Sequence, residues 1–173
     1  MRIRTRMCMS ADGYVATPDG WPAQLADPAW DPDSFGFVEF QASCDGVLMG
    51  RTTFEPALAA EEWPWKDVDV FVLGSHRPAG TPDDVIVDGD PARLLEQIRA
   101  ANRGGDVHLI GGPRTIEAFR QFGAVDELGL IVLPLLLGNG MQLTPSLSTD
   151  TRLTLKSAHA LPSGAVEIVY TCA

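Results

Sequence analysis

Three times along this chain a short apolar run ends on glycine and gives way to polar, helix-favouring residues. The runs are Val47-Leu48-Met49 before Gly50, Val70-Phe71-Val72-Leu73 before Gly74, and Val107 to Ile110 before Gly111-Gly112. Continuous apolar runs of this length suit strands buried on both faces, which belong to parallel sheets covered by helices. Strands alternating with helices then restrict the chain to an α/β architecture.

The remaining segments fill in the order. Arg2 to Ser10 alternates, with Ile3, Thr5, Met7 and Met9 on one face, and reads as a first strand. Pro18 to Asp33 is rich in Trp, Pro and Asp, a long loop of the kind that is usually functional. A helix is expected from about Asp33 to Ser43, and Thr52-x-x-Glu55 has the form of a capping box opening a second. Val85-Ile86-Val87 is a short strand, and Asp90-Pro91 an N-cap and first-turn proline ahead of Leu94, Leu95 and Ile98. A last helix carries Ile116, Phe119 and Arg120 to Phe122, with Gly123 as C-cap. Glu127–Leu133, Leu153–Ala160 and Val166–Cys172 are strands, the last two joined by a turn at Leu161 to Gly164. The expected fold is a single α/β domain over residues 1–173. Its mixed, mostly parallel central sheet is flanked by helices on both faces, with antiparallel C-terminal strands.

Charge narrows the partners. A formal net charge of −10 repels phosphodiester backbones, which argues against nucleic acid. No apolar run approaches the roughly 20 residues that span a bilayer, and the N-terminus lacks the form of a signal peptide, so a cytoplasmic protein is expected. Cys8, Cys44 and Cys172 are odd in number and widely spaced, which suggests buried free thiols rather than zinc ligands or disulfides.

Ligands of open α/β sheets bind outside the carboxyl ends of the strands, where the glycine bends fall. At Gly50-Arg51-Thr52 a bare backbone, a hydroxyl, helix N–H groups and a guanidinium suit a phosphate, though a capped helix start with a solvent-facing arginine fits equally. Ser75-His76-Arg77 after Gly74 suits a phosphate monoester, and also a plain polar loop before Pro78. Ile110-Gly111-Gly112-Pro113-Arg114-Thr115 puts unhindered amides where a pyrophosphate could sit, without being a Gly-x-Gly-x-x-Gly fingerprint. Asp12, where the first strand ends, is either an acid for a substrate or part of an Asp-Gly turn. His108 and His159 belong to no Ser/His/Asp set.

Five motifs occur in order: Ser10-x-Asp12-Gly13, Met49-Gly50-Arg51-x-Thr53-Phe54-Glu55, Ile110-Gly111-Gly112, Val125-Asp126-Glu127-Leu128, and Pro134-Leu135-Leu136-Leu137-Gly138-Asn139-Gly140. Together they resemble the reductase domain of the bifunctional riboflavin-biosynthesis deaminase/reductase and its stand-alone relatives, within the dihydrofolate reductase-like fold. The resemblance implies NADPH along the carboxyl rim. Gly50, Arg51, Thr52 and Thr53 would hold phosphates, Ser75, His76 and Arg77 the adenosine 2′-phosphate, and Ile110 to Thr115 the pyrophosphate. It implies hydride transfer to a small heterocycle or sugar phosphate, such as 5-amino-6-(5-phosphoribosylamino)uracil, beside the first strand, with Asp12 in the substrate site. A homodimer joined through the apolar Leu130–Leu137 stretch is expected as well. The resemblance has limits. In the first helix Asp33 and Glu39 are the acids available, with Glu39 the second catalytic candidate, and each also fits a solvated surface. The zinc deaminase signature is absent. A catalytically silent nucleotide-binding domain and a dihydrofolate or pteridine reductase are the alternatives.

Overall fold

The computed structural model describes residues 1–144 and 152–172. Its centre is one eight-stranded sheet. The strands are β1 (Ile3–Ser10), β3 (Cys44–Gly50), β4 (Asp69–Leu73), β5 (Ile86–Asp88), β6 (Asp106–Gly111), β7 (Glu127–Leu133), β9 (Leu153–Ala160) and β10 (Val166–Cys172). Their spatial order is β5-β4-β3-β6-β1-β7-β10-β9. Every pair from β5 to β7 is parallel, and β10 and β9 run antiparallel to their neighbours. A small ribbon pairs β2 (Tyr14–Ala16) with β8 (Met141–Gln142).

Helices cover both faces. On one, α3 (Pro91–Ala101) and α4 (Pro113–Gln121) contribute Leu94, Leu95, Ile98, Ile116 and Phe119 to a core with Ile3, Leu48, Phe71, Val107 and Leu109. On the other, α1 (Phe37–Ala42) and α2 (Arg51–Phe54) anchor two smaller clusters through Phe37 and Phe54. Asp90 caps α3 through the Ala92 and Arg93 amides, the role the sequence suggests. Gly123 follows α4 with φ of 59°, a left-handed residue closing the helix.

Two local expectations fail. The α1 helix begins at Phe37, with the preceding residues spent on turns in which Asp31 accepts from the Asp33 and Ser34 amides. A short acidic side chain competes there for the N–H groups a helix needs. The Thr52-x-x-Glu55 capping box does not form either. Here α2 opens on Gly50 with no side-chain cap, and Glu55 turns back one helical turn to bond Arg51 at 2.6 Å.

Among the described residues no helix is long and apolar enough to cross a membrane, and no His/Cys/Asp/Glu group could hold a metal ion. The three cysteines are free, Cys8 and Cys44 buried.

Candidate functional site

Because β4, β3 and β6 are adjacent and parallel, their glycine-marked ends stand side by side on one rim. A methyl group on Gly50 would lie 2.6 Å from Thr115 Oγ1, so the start of α4 is seated directly against the end of β3. One on Gly74 would lie 3.0 Å from Arg51 Cβ, and one on Gly112 would lie 3.8 Å from Thr53 Oγ1. The next bend joins the same rim, since a methyl group on Gly89 would lie 3.4 Å from Ser75 Cα and Gly74 donates to the Asp88 carbonyl at 2.9 Å. The rim from β5 to β6 is therefore closely packed, its glycines letting the side chains of Thr115, Arg51 and Thr53 lie against the main chain. Gly111 adopts φ of 138°, open only to glycine without strain.

Donors border this strip. The first turns of α2 and α4 receive no side-chain cap; in α4 Pro113 has no N–H and the Thr115 amide donates to the Gly112 carbonyl at 2.9 Å, so the Arg114 amide is what that turn could offer an anion. Thr52 and Arg114 are exposed, Thr53 is half-buried, and Thr115 is buried beneath Gly50. Ser75, His76 and Arg77 all lie at the surface beyond Gly74. Their guanidinium groups differ in availability. Arg51 is paired with Glu55, and Arg77 spends its fork on the Val85 carbonyl at 2.8 Å and the Pro82 carbonyl, while Arg114 has no hydrogen-bond or ion-pair partner among the described residues. Arg77 thus fastens its own loop. Behind the rim Arg93 grips Asp88 with two bonds of 2.7 Å, and that pairing holds the carboxyl at about 2.

The other end of the rim, at β1 and β7, is built differently. Asp12 accepts from the Leu137 amide at 3.1 Å and the Gly138 amide at 2.7 Å. The Ser10 side chain and these amides hold its carboxyl below the ordinary range. At neutral pH Asp12 is an ionised acceptor that pins the Pro134–Gly140 loop to the first strand. Ala11 N adds a bond to the Leu135 carbonyl, and β2–β8 pairing continues the seam. In the 17–36 loop Trp30 packs on Phe35 and Phe37 at 5.1 and 5.2 Å, whereas Trp21 is 64% exposed.

Glu39 is not brought to the rim. It is exposed on α1 beside a hollow of about 550 Å³ lined by Arg4, Arg6, Asp33, Phe40 and Glu167. His108 is buried on that face, edge-on to Phe40 at 4.8 Å, and burial drives its pKa down to about 4. His159 is exposed on β9. Sequence reading did not show what Asp12 bonds. The available signal was an acid at a strand end and a glycine-bounded loop elsewhere, and nothing local links the two.

Comparison with known proteins agrees with this architecture. A family model described as the RibD C-terminal domain matches residues 2–166. YwjB, an uncharacterised protein of Bacillus subtilis (strain 168), is 26% identical over 151 residues, covering 87% of this chain and 86% of YwjB. A protein of Shewanella sp. PV-4, provisionally assigned to riboflavin biosynthesis, superposes with a TM-score of 0.81 at 25% identity, over 100% of this chain and 99% of its own. The diaminohydroxyphosphoribosylaminopyrimidine deaminase/5-amino-6-(5-phosphoribosylamino)uracil reductase of Thermotoga maritima shares the fold, with a TM-score of 0.72 at 14% identity. This chain covers 56% of that protein.

Proposed function

The chain belongs to the RibD C-terminal domain family, and on that premise we propose that it is an NADPH-dependent reductase acting on a small heterocycle. The observation that carries the reading is that the ends of β4, β3 and β6 meet on one rim, where Gly74, Gly50 and Gly112 let Arg51, Thr115 and Thr53 close in on the main chain. An extended dinucleotide would lie along such a rim, its phosphates close to backbone amides and these side chains. Arg51, Thr52, Thr53 and the start of α4 at Pro113, Arg114 and Thr115 would hold the pyrophosphate. Ser75, His76 and the loop fastened by Arg77 would meet the adenosine 2′-phosphate. The reduced nicotinamide supplies the hydride when bound, and the chain's share is orientation, charge and exclusion of water.

Binding is testable through tryptophan. Adding NADPH should quench the intrinsic fluorescence saturably, and a flat response at millimolar cofactor refutes the assignment. Arg114→Ala should weaken NADPH by roughly tenfold to a hundredfold, equivalent to about 1.5–3 kcal/mol for a charge-assisted contact. Arg77→Ala should harm NADPH more than NADH, and equal losses would remove the 2′-phosphate assignment.

One observation favours a second reading, a nucleotide-binding domain without turnover. Asp12 is held as a carboxylate and Glu39 stands away from the rim, so neither acid is placed to donate a proton there. NADPH oxidation across pyrimidines, pterins and quinones separates the two readings. A homodimer joined through the apolar face of the C-terminal strands completes the proposal.

A further inference from the structure

The β5 end of the rim carries one more guanidinium, outside all of the sequence motifs. Arg93, in the first turn of α3, reaches back to the last residue of β5 and grips Asp88 through Nε and Nη2, each at 2.7 Å. The Asp90 amide donates to the same carboxylate at 2.8 Å. The Asp88 side chain is 8% exposed and that of Arg93 is 62% exposed. The carboxylate is thus a buried anchor, and the guanidinium it orients stands in solvent. Arg93 Nη1 makes no hydrogen bond among the described residues and lies 3.9 Å from Asp90 Oδ2.

The backbone sets this pair beside the Gly74–Ser75 bend. Asp88 is in register with Leu73, its carbonyl accepts from the Gly74 amide at 2.9 Å, and a methyl group on Gly89 would lie 3.4 Å from Ser75 Cα. Arg51 meets the same bend from the other side, since a methyl group on Gly74 would lie 3.0 Å from Arg51 Cβ. The end of β4 is therefore flanked by two cationic side chains, one placed by the end of β3 and one by the end of β5. Those strands stand two spacings apart, roughly 10 Å at about 4.8 Å per spacing. Arg77 does not take this place, because its fork is spent on the Val85 and Pro82 carbonyls. Two separated cations suit a ligand with two anionic centres. A dinucleotide bearing only its pyrophosphate has one, and a phosphate on the adenosine ribose adds the second.

We propose that Arg93, anchored by Asp88, is the residue that selects a 2′-phosphorylated cofactor over its unphosphorylated counterpart. The proposal rests on the reductase reading and deepens it: Ser75 and His76 border the adenosine ribose, and Arg93 meets the 2′-phosphate from the β5 side through Nη1. In nucleotide-binding sheets a strand-end carboxylate bonds the ribose 2′-hydroxyl of NADH, and an arginine accommodates the 2′-phosphate of NADPH. Here both groups are present, and the arginine covers the carboxylate. Asp88 already accepts from Arg93 twice and from the Asp90 amide, so it is not a free acceptor for a hydroxyl. An arginine held in place by a carboxylate also gives up less side-chain freedom on binding a phosphate.

The test titrates the whole chain with two ligand pairs that differ only in the 2′-phosphate. Adenosine 2′,5′-bisphosphate and AMP are compared by calorimetry, and NADPH and NADH by tryptophan fluorescence. Wild type should bind the bisphosphate at least about tenfold more tightly than AMP. In Arg93→Gln that preference should shrink to within about twofold, with AMP affinity unchanged, and the NADPH-to-NADH ratio should fall in parallel. AMP and NADH sense any general loosening of β5, so a merely structural role would weaken both members of each pair together. Arg93→Lys keeps the charge and loses the planar fork, so it should retain an intermediate preference. It also decides the matter should Arg93→Gln fail to fold. An unchanged preference in Arg93→Gln, or in Arg93→Lys where only that variant folds, would overturn the assignment. So would equal losses within a pair, or a wild type that binds both members alike. Failure of the reductase reading looks different: NADPH that does not bind the wild-type chain removes that reading and Arg93 with it, whereas NADPH bound with a ratio indifferent to Arg93 removes Arg93 alone.

Discussion

Gly50 occupies a position where chemistry is dictated by space. The Thr115 hydroxyl lies where its Cβ would be, so Gly50→Ala must push the start of α4 away from the end of β3. A loss of about 1–3 kcal/mol is expected, typical of forcing a methyl into a closed contact. NADPH affinity should fall by more than tenfold. Adding Thr115→Ala removes the obstructing hydroxyl and should restore much of the stability, so a double-mutant cycle with no coupling would disprove the contact. His108 makes a different kind of prediction. It is buried against Phe40 with Arg4 and Arg6 nearby, and its Nδ1 has no hydrogen-bond partner among the described residues. Burial, with those two guanidinium groups adding to it, lowers the folded pKa to about 4, while an unfolded histidine titrates near 6.5. The unfolded chain therefore binds the extra proton first, and stability should fall as pH drops from about 6.5 to 4, by up to about 3 kcal/mol. Asp88 and Asp106, both held at about 2, weaken the fold only below roughly pH 4, outside that window. His108→Phe should flatten the slope between pH 4 and 6.5 in thermal melts and leave the steeper acid limb intact.

At the scale of elements, the loop after β7 owes its place to one carboxylate. Removing it in Asp12→Ala leaves the Leu137 and Gly138 amides without their acceptor, and their hydrogen exchange should accelerate by about tenfold or more. Exchange in the strand cores should not change. If those two amides stay protected, Asp12 does not hold the loop. The same region shows where sequence reading succeeds and where it stops. Strands β3, β4 and β6 announce themselves because continuous apolar runs ending on glycine have few other uses. The three bends fall together because parallel neighbours must share a rim, so the glycine strip was legible before any coordinates. What the residues did not announce was pairing across distance. Asp12 and Gly138 are separated by 126 positions, and nothing local distinguishes a turn aspartate from a loop clamp. Helix starts were misplaced for a related reason. Thr52 had the composition of a cap and Asp33 stood at the expected helix start, but Gly50 and Gly36 took the cap positions once α2 and α1 were fixed by packing of Phe54 and Phe37. Arg77 looked like a free guanidinium because its carbonyl partners, Pro82 and Val85, are ordinary residues with no signature.

Taken whole, the molecule is covered unevenly. Core contacts show that Cys172 of β10 faces α4, so Val166, Ile168 and Tyr170, at alternate positions, share that face. Register places Val132, Leu130 and Leu128 of β7 beside them on one side, and Ala160, Ala158 and Leu155 of β9 on the other. The opposite face of the same strands carries Glu167, His159 and Lys156, the last bonded to Glu127. One side of this hairpin is thus apolar and the other polar, the pattern of a sheet with one face buried. Among the described residues no helix packs extensively on β9 or β10, and Leu155 is 59% and Val166 38% exposed. Single exposed apolar residues are ordinary, but a patch extending over three strands is not. A second copy of the chain would bury it symmetrically, because a two-fold axis lets the same patch serve both partners. Light scattering at micromolar protein should therefore give twice the 18.6 kDa chain mass. Leu155→Glu, on a side chain already largely in solvent, should produce a well-folded species that dissociates on dilution. A wild-type monomer across the same range, or a Leu155→Glu protein that stays dimeric, would mean that this face is covered by something other than its own copy.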